Sequence, residues 1–245
     1  TEEKTRKVWV SAPVEEGPGA LLQMARAWDG AGVGAALVPG GWERVPGSTQ
    51  GGGEWPSNIA DMAGRISGTG MVAGITVDPL AVDGGRGDWA VDAPGGVSWA
   101  NPLVEEGRAA ARQRLNGLRR AGFSFAACAP TAMPDEALQR LNITRVQADR
   151  AGLRLAAEVW GLDNVMPAPQ GGTGPDTETW AALARVGRWF DEYDVPMGPV
   201  RLLLDGENTV PAPVLADIDA WGSPIEFSGR PPREVRNALG GIAGN

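Results

Sequence analysis

Residues 119–130 read RRAGFSFAACAP: the basic end of a helix, an Ala-Gly stop, then a short apolar run that ends at Pro130. Glycine just past the last helical residue suits the left-handed conformation that closes a helix. The apolar run behind it has the composition of a strand. The same grammar recurs at Ala31-Gly32, Thr69-Gly70, Ala151-Gly152 and Trp221-Gly222. Strands are expected near Val8 to Ala12, Val33 to Val38, Met71 to Val77, Phe123 to Cys128, Leu153 to Val159, Val200 to Leu204 and Ile225 to Phe227. Amphipathic helices fill the intervals, and this alternation predicts βαβ units around a parallel sheet.

The connections point to the architecture. Helices run into strands through terse glycine stops, whereas the links that follow Val38, Val77 and Val159 are long. Long loops on one face and short ones on the other are the asymmetry of a (β/α) TIM-type barrel, whose site lies at the strand C-terminal ends. All 245 residues are expected to form one such domain, with seven strands legible and an eighth either irregular or absent. An open doubly wound sheet is the alternative, but no GxGxxG follows the first strand. Pro102 to Ala121 reads as a helix capped by Asn101, with Leu103, Ala110, Leu115 and Leu118 inward and Arg108, Arg112 and Arg119 in water.

Composition removes several function classes. The chain has no histidine, so Ser-His-Asp and Cys-His machinery are excluded and the commonest zinc ligand is missing. Cys128 would be a nucleophile without a base, and it reads as a small buried hydrophobe. Metal binding would rest on carboxylate oxygens alone, no calcium-loop spacing occurs, and neither metal nor cofactor is expected. The net charge is −8, and of 22 basic residues only Lys4 and Lys7 are lysine. The arginines are scattered over predicted helices, so no nucleic-acid stripe is expected. No apolar run approaches the roughly 18 residues of a membrane span, and the start, TEEKTRK, is charged. A lone cysteine favours a reducing, cytoplasmic setting, although a cleaved secretory signal would leave no trace.

From Gly41 to Glu158 the text resembles the melibiase group, the α-galactosidases and their relatives among barrel glycoside hydrolases. The matching pieces are GGW ending at Trp42, EWPSNIADMAGRISGTGMVAGITVDPL at 54–80, and DWAVDAPGGVSWANPLVEEGRAAARQRLNGLRRAGFSF at 88–125. The resemblance implies a barrel that binds a small carbohydrate at its strand C-terminal face. It also implies a second strand ending in D-D-G-W and a fourth ending in K-x-D, whose Asp is the nucleophile. Here those positions hold Pro39-Gly40-Gly41-Trp42 and Ala127-Cys128-Ala129. An alanine cannot form a glycosyl intermediate.

Acids do stand at other expected strand ends: Asp78, Glu158, Asp205, Glu207 and Glu226. Glycoside hydrolysis needs two carboxylates. Asp205 lies where related enzymes keep their acid/base, and Glu158, set in the apolar run LAAEVWG, is its expected partner. Asp78, Glu207 and Glu226 are expected to grip hydroxyls, with Trp42 and Trp160 stacking on the sugar. Trp55, Trp89 and Trp99 share the same loops, whereas Trp28, Trp180, Trp189 and Trp221 read as helix packing. Three readings follow: a glycosidase, an inert sugar-binding pseudoenzyme, and a designed or edited barrel without a ligand.

Overall fold

The computed structural model describes residues 8–12, 14–27, 34–84, 87–92, 97–161, 164–167, 202–205 and 225–228. In chain order these form β1 (Val8–Val10), a 3-10 turn (Val14–Glu16), α1 (Gly17–Ala27), β2 (Ala35–Val38), α2 (Ile59–Ser67), β3 (Val72–Val77) and β4 (Ala81–Asp83). There follow β5 (Ala90–Asp92), β6 (Val97–Ala100), α3 (Glu105–Arg120), β7 (Phe125–Cys128), α4 (Asp135–Leu141), α5 (Arg145–Trp160), β8 (Val165–Pro167), β9 (Leu202–Asp205) and β10 (Ile225–Ser228).

Seven strands make one sheet in the order β8-β7-β3-β2-β1-β10-β9, and every neighbouring pair is parallel. With the β4-β6 insertion set aside, each strand except β8 lies beside its successor, and the last described strand, β10, pairs with the first, β1. That is the circular order of a (β/α) barrel; a doubly wound sheet grows outward from the first strand in both directions instead. Among the described residues no pairing joins β8 to β9. Closure of the expected barrel is therefore not seen among the described residues, whose strands keep barrel order.

The register divides the sheet into two faces. Ala36, Val38, Ala73, Ile75, Val77, Ala126 and Cys128 join the main apolar core under the helices, with Leu21, Met62, Ile66, Leu115 and Leu118. Ala35, Leu37, Phe125 and Ala127 form a second, smaller cluster on the other face. There Gly74 lies in register between Leu37 and Phe125, and the Phe125 ring occupies the space that a Cβ on Gly74 would take.

The fifth strand is corrected. Leu153 to Val159 is helix, the last part of α5. Thr144 caps that helix through a reciprocal capping box with Gln147, an arrangement that contributes about 1 kcal/mol. Its buried residues, Ala148, Gly152, Leu153, Leu155, Ala156, Val159 and Trp160, fall in rows three or four positions apart along one face. Gly152 is not a stop. A Cβ there would lie 3.2 Å from that of Pro79, so glycine lets the helix close on the turn after β3. The fifth parallel strand is β8, paired with β7.

Two further expectations shift. The long connection after Val77 carries β4, β6 and β5, which form a small antiparallel sheet. In addition α3 starts at Glu105, after a turn in which Asn101 Oδ1 accepts from Leu103 N at 3.0 Å. Leu103, expected inward, is 56% exposed. Gly122 does carry the positive φ expected of a stop, +110°.

Candidate functional site

The strand C-terminal ends are built as follows. The fourth parallel strand, β7, delivers buried Ala127 and Cys128, and Ala129 N donates to Val77 O at 2.8 Å. No ionisable carboxyl or amine arrives there. β3 delivers Asp78, whose carboxylate is already occupied. Its Oδ1 accepts from Leu80 N at 3.0 Å. Its Oδ2 accepts from Trp99 Nε1 at 3.0 Å, Ala132 N at 2.9 Å and Thr131 Oγ1 at 3.3 Å. Asp78 thus ties the turn after β3 to β6 and to the loop after β7, a role closer to a rivet than to an open sugar ligand.

Beside Asp78 lies an ion pair that the sequence reading missed. Glu43, in the loop after β2, pairs with Arg114 of α3; their side chains are 11% and 6% exposed. Arg114 Nη1 also donates to Asp78 O at 2.8 Å and Ala81 O at 3.0 Å, stitching α3 to the rim. Burial pushes the Glu43 pKa above its ordinary value, with the Asp78 charge adding to the rise. Arg114 and a hydrogen bond from Gly47 N oppose it. A raised carboxyl pKa suits a general acid, but the Arg114 contact and the saturated Asp78 leave no free carboxylate pair here. The signal was in the sequence: Gly107, Ala111, Arg114, Leu115 and Leu118 make up the buried stripe of α3. An arginine on such a stripe requires an acid from elsewhere in the fold.

The tryptophans proposed for stacking are interior. Trp42 is fully buried and donates Nε1–H to Thr76 O at 2.9 Å. Trp160 is buried and donates to Phe123 O at 2.9 Å. Phe123 precedes β7, so Trp160 lies at the N-terminal end of that strand, away from the expected face. Trp55 and Trp99 are buried as well and donate to Val14 O and Asp78 Oδ2. Trp89 alone of these five is partly exposed.

Glu158 shares the relocation of α5. It is on a helix and not on a strand, its side chain is 52% exposed, and it pairs with Arg112 Nε at 2.6 Å. Arg112 also holds Glu105, which closes a surface network. Replacing Glu158→Gln is expected to leave any galactoside binding or turnover unchanged and to alter stability by less than about 1 kcal/mol, as exposed pairs do. Calorimetric titration and a melting curve check this. Asp205 ends β9 with its backbone in register with Ser228, and Glu226 pairs with Leu203. Glu207 lies outside the described residues. The structure therefore brings Glu43 and Asp78 together at one rim and places Glu158 and Trp160 elsewhere.

Among the described residues no three His, Cys, Asp or Glu side chains gather as a metal site, and no helix is long and apolar enough to cross a membrane.

No family model matches this sequence, and no curated protein does. Solved structures do match in fold. The galactosidase domain of the α-galactosidase–sucrose kinase AgaSK matches with a TM-score of 0.56 and 11% identity, over 98% of this chain and 40% of that one. The GH36 α-galactosidase AgaA from Geobacillus stearothermophilus gives 0.55 and 10%, over 99% and 42%. The α-galactosidase TtGalA from Thermus thermophilus, in complex with p-nitrophenyl α-D-galactopyranoside, gives 0.53 and 16%, over 98% and 62%. This chain thus spans less than two thirds of each of them. At such identity the likeness concerns the fold: a distant relative, in architecture, of the glycoside-hydrolase barrels.

Proposed function

We propose that the chain is a glycoside-hydrolase-like domain that holds a carbohydrate at the C-terminal ends of its parallel strands and does not cleave it by double displacement. The observation that carries this reading is the fourth parallel strand, which ends in Ala127-Cys128-Ala129 within a fold similar to α-galactosidases. A nucleophilic carboxylate is what that mechanism needs and what that strand lacks. Asp205 is the acid proposed to hold sugar hydroxyls, together with Glu226 and Glu207, and residues 1–245 are proposed to act as one domain.

Titration calorimetry with raffinose, paired with a p-nitrophenyl α-galactoside assay, tests the reading. Sugar should bind without release of nitrophenol, and Asp205→Asn should weaken binding about tenfold, which is about 1.4 kcal/mol. Release of nitrophenol that disappears in Asp205→Asn would instead make the protein a hydrolase. No heat with any galactoside would remove the sugar site altogether.

A further inference from the structure

The loop after β7, Ala129 to Met133, reads APTAM and carries no charge, yet three charged side chains from elsewhere in the fold converge on it. Thr131 N donates to Asp149 Oδ1 at 2.6 Å, and Ala132 N donates to Asp78 Oδ2 at 2.9 Å. Met133 N donates to Thr131 Oγ1 at 3.3 Å, and Ala129 N is already given to Val77 O. Pro130 has no N–H, so every backbone donor of the loop is taken. Two carbonyls are held as well: Arg145 Nη1 donates to Thr131 O at 2.6 Å and Nη2 to Met133 O at 3.0 Å.

Arg145 and Asp149 stand four apart on α5 and are therefore neighbours on its surface. One supplies donors and the other an acceptor, so a single helix face grips Thr131 by both its N–H and its C=O. Charge-assisted bonds of this kind are roughly twice as strong as neutral ones. Thr131 and Met133 are buried, whereas Pro130 and Ala132 are exposed at the end of the fourth parallel strand. Polar backbone groups at an exposed edge can be satisfied by water. Here they are held by charged side chains instead, and what those charges fix is the shape of an edge that presents only small apolar side chains to solvent.

We infer that Asp149 and Arg145 are positioning residues, which from α5 hold the loop after β7 in the form against which a carbohydrate rests. The inference rests on the strand-end reading given above and adds to it that the rim at the fourth strand acts by shape and not by charge. A loop already fixed in its bound form loses less conformational freedom when the ligand arrives.

Two readouts on the full chain test this: calorimetric titration with raffinose, and hydrogen exchange at the Ala132 and Met133 amides, whose own acceptors Asp78 and Thr131 are left in place. Asp149→Ala should raise the raffinose Kd about tenfold and speed exchange at both amides at least about tenfold in the free protein. Arg145→Met should do the same from the carbonyl side. Asp149→Asn keeps an acceptor for Thr131 N and should bind within about twofold of the unaltered chain. Thr144→Ala is the control. It removes the cap of the same helix, should lower Tm by about 2–4 °C, and should leave affinity and both amides unchanged.

If the unaltered chain gives no heat with raffinose or any other galactoside, the strand-end reading falls and this inference falls with it. Binding that is equally strong in the unaltered chain, Asp149→Ala and Arg145→Met overturns the inference alone. A loss of affinity in Thr144→Ala as large as theirs also overturns it, because general loosening of α5 would then be the cause. So do Ala132 and Met133 amides that exchange no faster in Asp149→Ala.

Discussion

Replacing Arg114→Met is expected to destabilise the fold by about 3–5 kcal/mol, the usual penalty for removing one partner of a buried ion pair. In a chain of this size that is a fall in Tm of roughly 10 °C. The methionine fills similar space, so the loss comes from three groups left behind: the Glu43 carboxylate and the carbonyls of Asp78 and Ala81. The pH dependence separates these contributions. The folded pKa of Glu43 lies above its ordinary 4.5, so its favourable contribution is fully present below that value and is lost as pH rises through the folded pKa. Arg114 is a cause that holds this pKa down. Without it the folded pKa climbs further, and the variant's deficit should be larger at pH 7 than at pH 4.5. Urea unfolding at the two pH values measures this, and Glu43→Gln added to Arg114→Met should recover part of the loss. An equal deficit at both pH values would mean that the carbonyl contacts, and not the charge, account for the effect.

Gly74→Ala is expected to rank next, at about 3 kcal/mol, the upper part of the range for overpacking. The new methyl would fall within the Phe125 ring across the β3–β7 ladder. Phe125 is buried among Ala35, Leu37 and Ala127, so the ring has no open side to move into. Combining Gly74→Ala with Phe125→Leu should therefore be less harmful than the sum of the two single changes. Thermal unfolding of the three variants gives the coupling energy, and strict additivity would show that the glycine is not there for the ring.

Both positions bear on what the residues alone disclose. The strand runs at 35–38, 72–77 and 125–128 are apolar, bounded by glycine and long enough to be recognised. β8 is a three-residue run, VMP, and the stretch LRLAAEV just before it has a strand's composition but a helix's cap and spacing. Local pattern therefore assigned the strand to the wrong segment, and Glu158 and Trp160 went with it. β4, β5 and β6 are runs of three, three and four residues, and only their mutual pairing makes them strands. The site was harder still to read. A tryptophan in a loop looks the same in sequence whether its indole faces water, as Trp89 partly does, or is sealed against Thr76, as Trp42 is. Glu43 and Arg114 are far apart in sequence and become meaningful only once the fold joins them. The empty end of the fourth strand, by contrast, was plain from Ala127, Cys128 and Ala129.

The pairing of Val8 with Ile225 has a consequence for biosynthesis. At about 5–20 residues per second the ribosome takes roughly 10–40 s to travel from one strand to the other. Throughout that interval the nascent sheet presents one flank of its first strand with no neighbour, and such a flank invites pairing with other chains. Among the described strands this pairing is the most distant in sequence, which makes slow, chaperone-sensitive maturation the natural outcome of the topology.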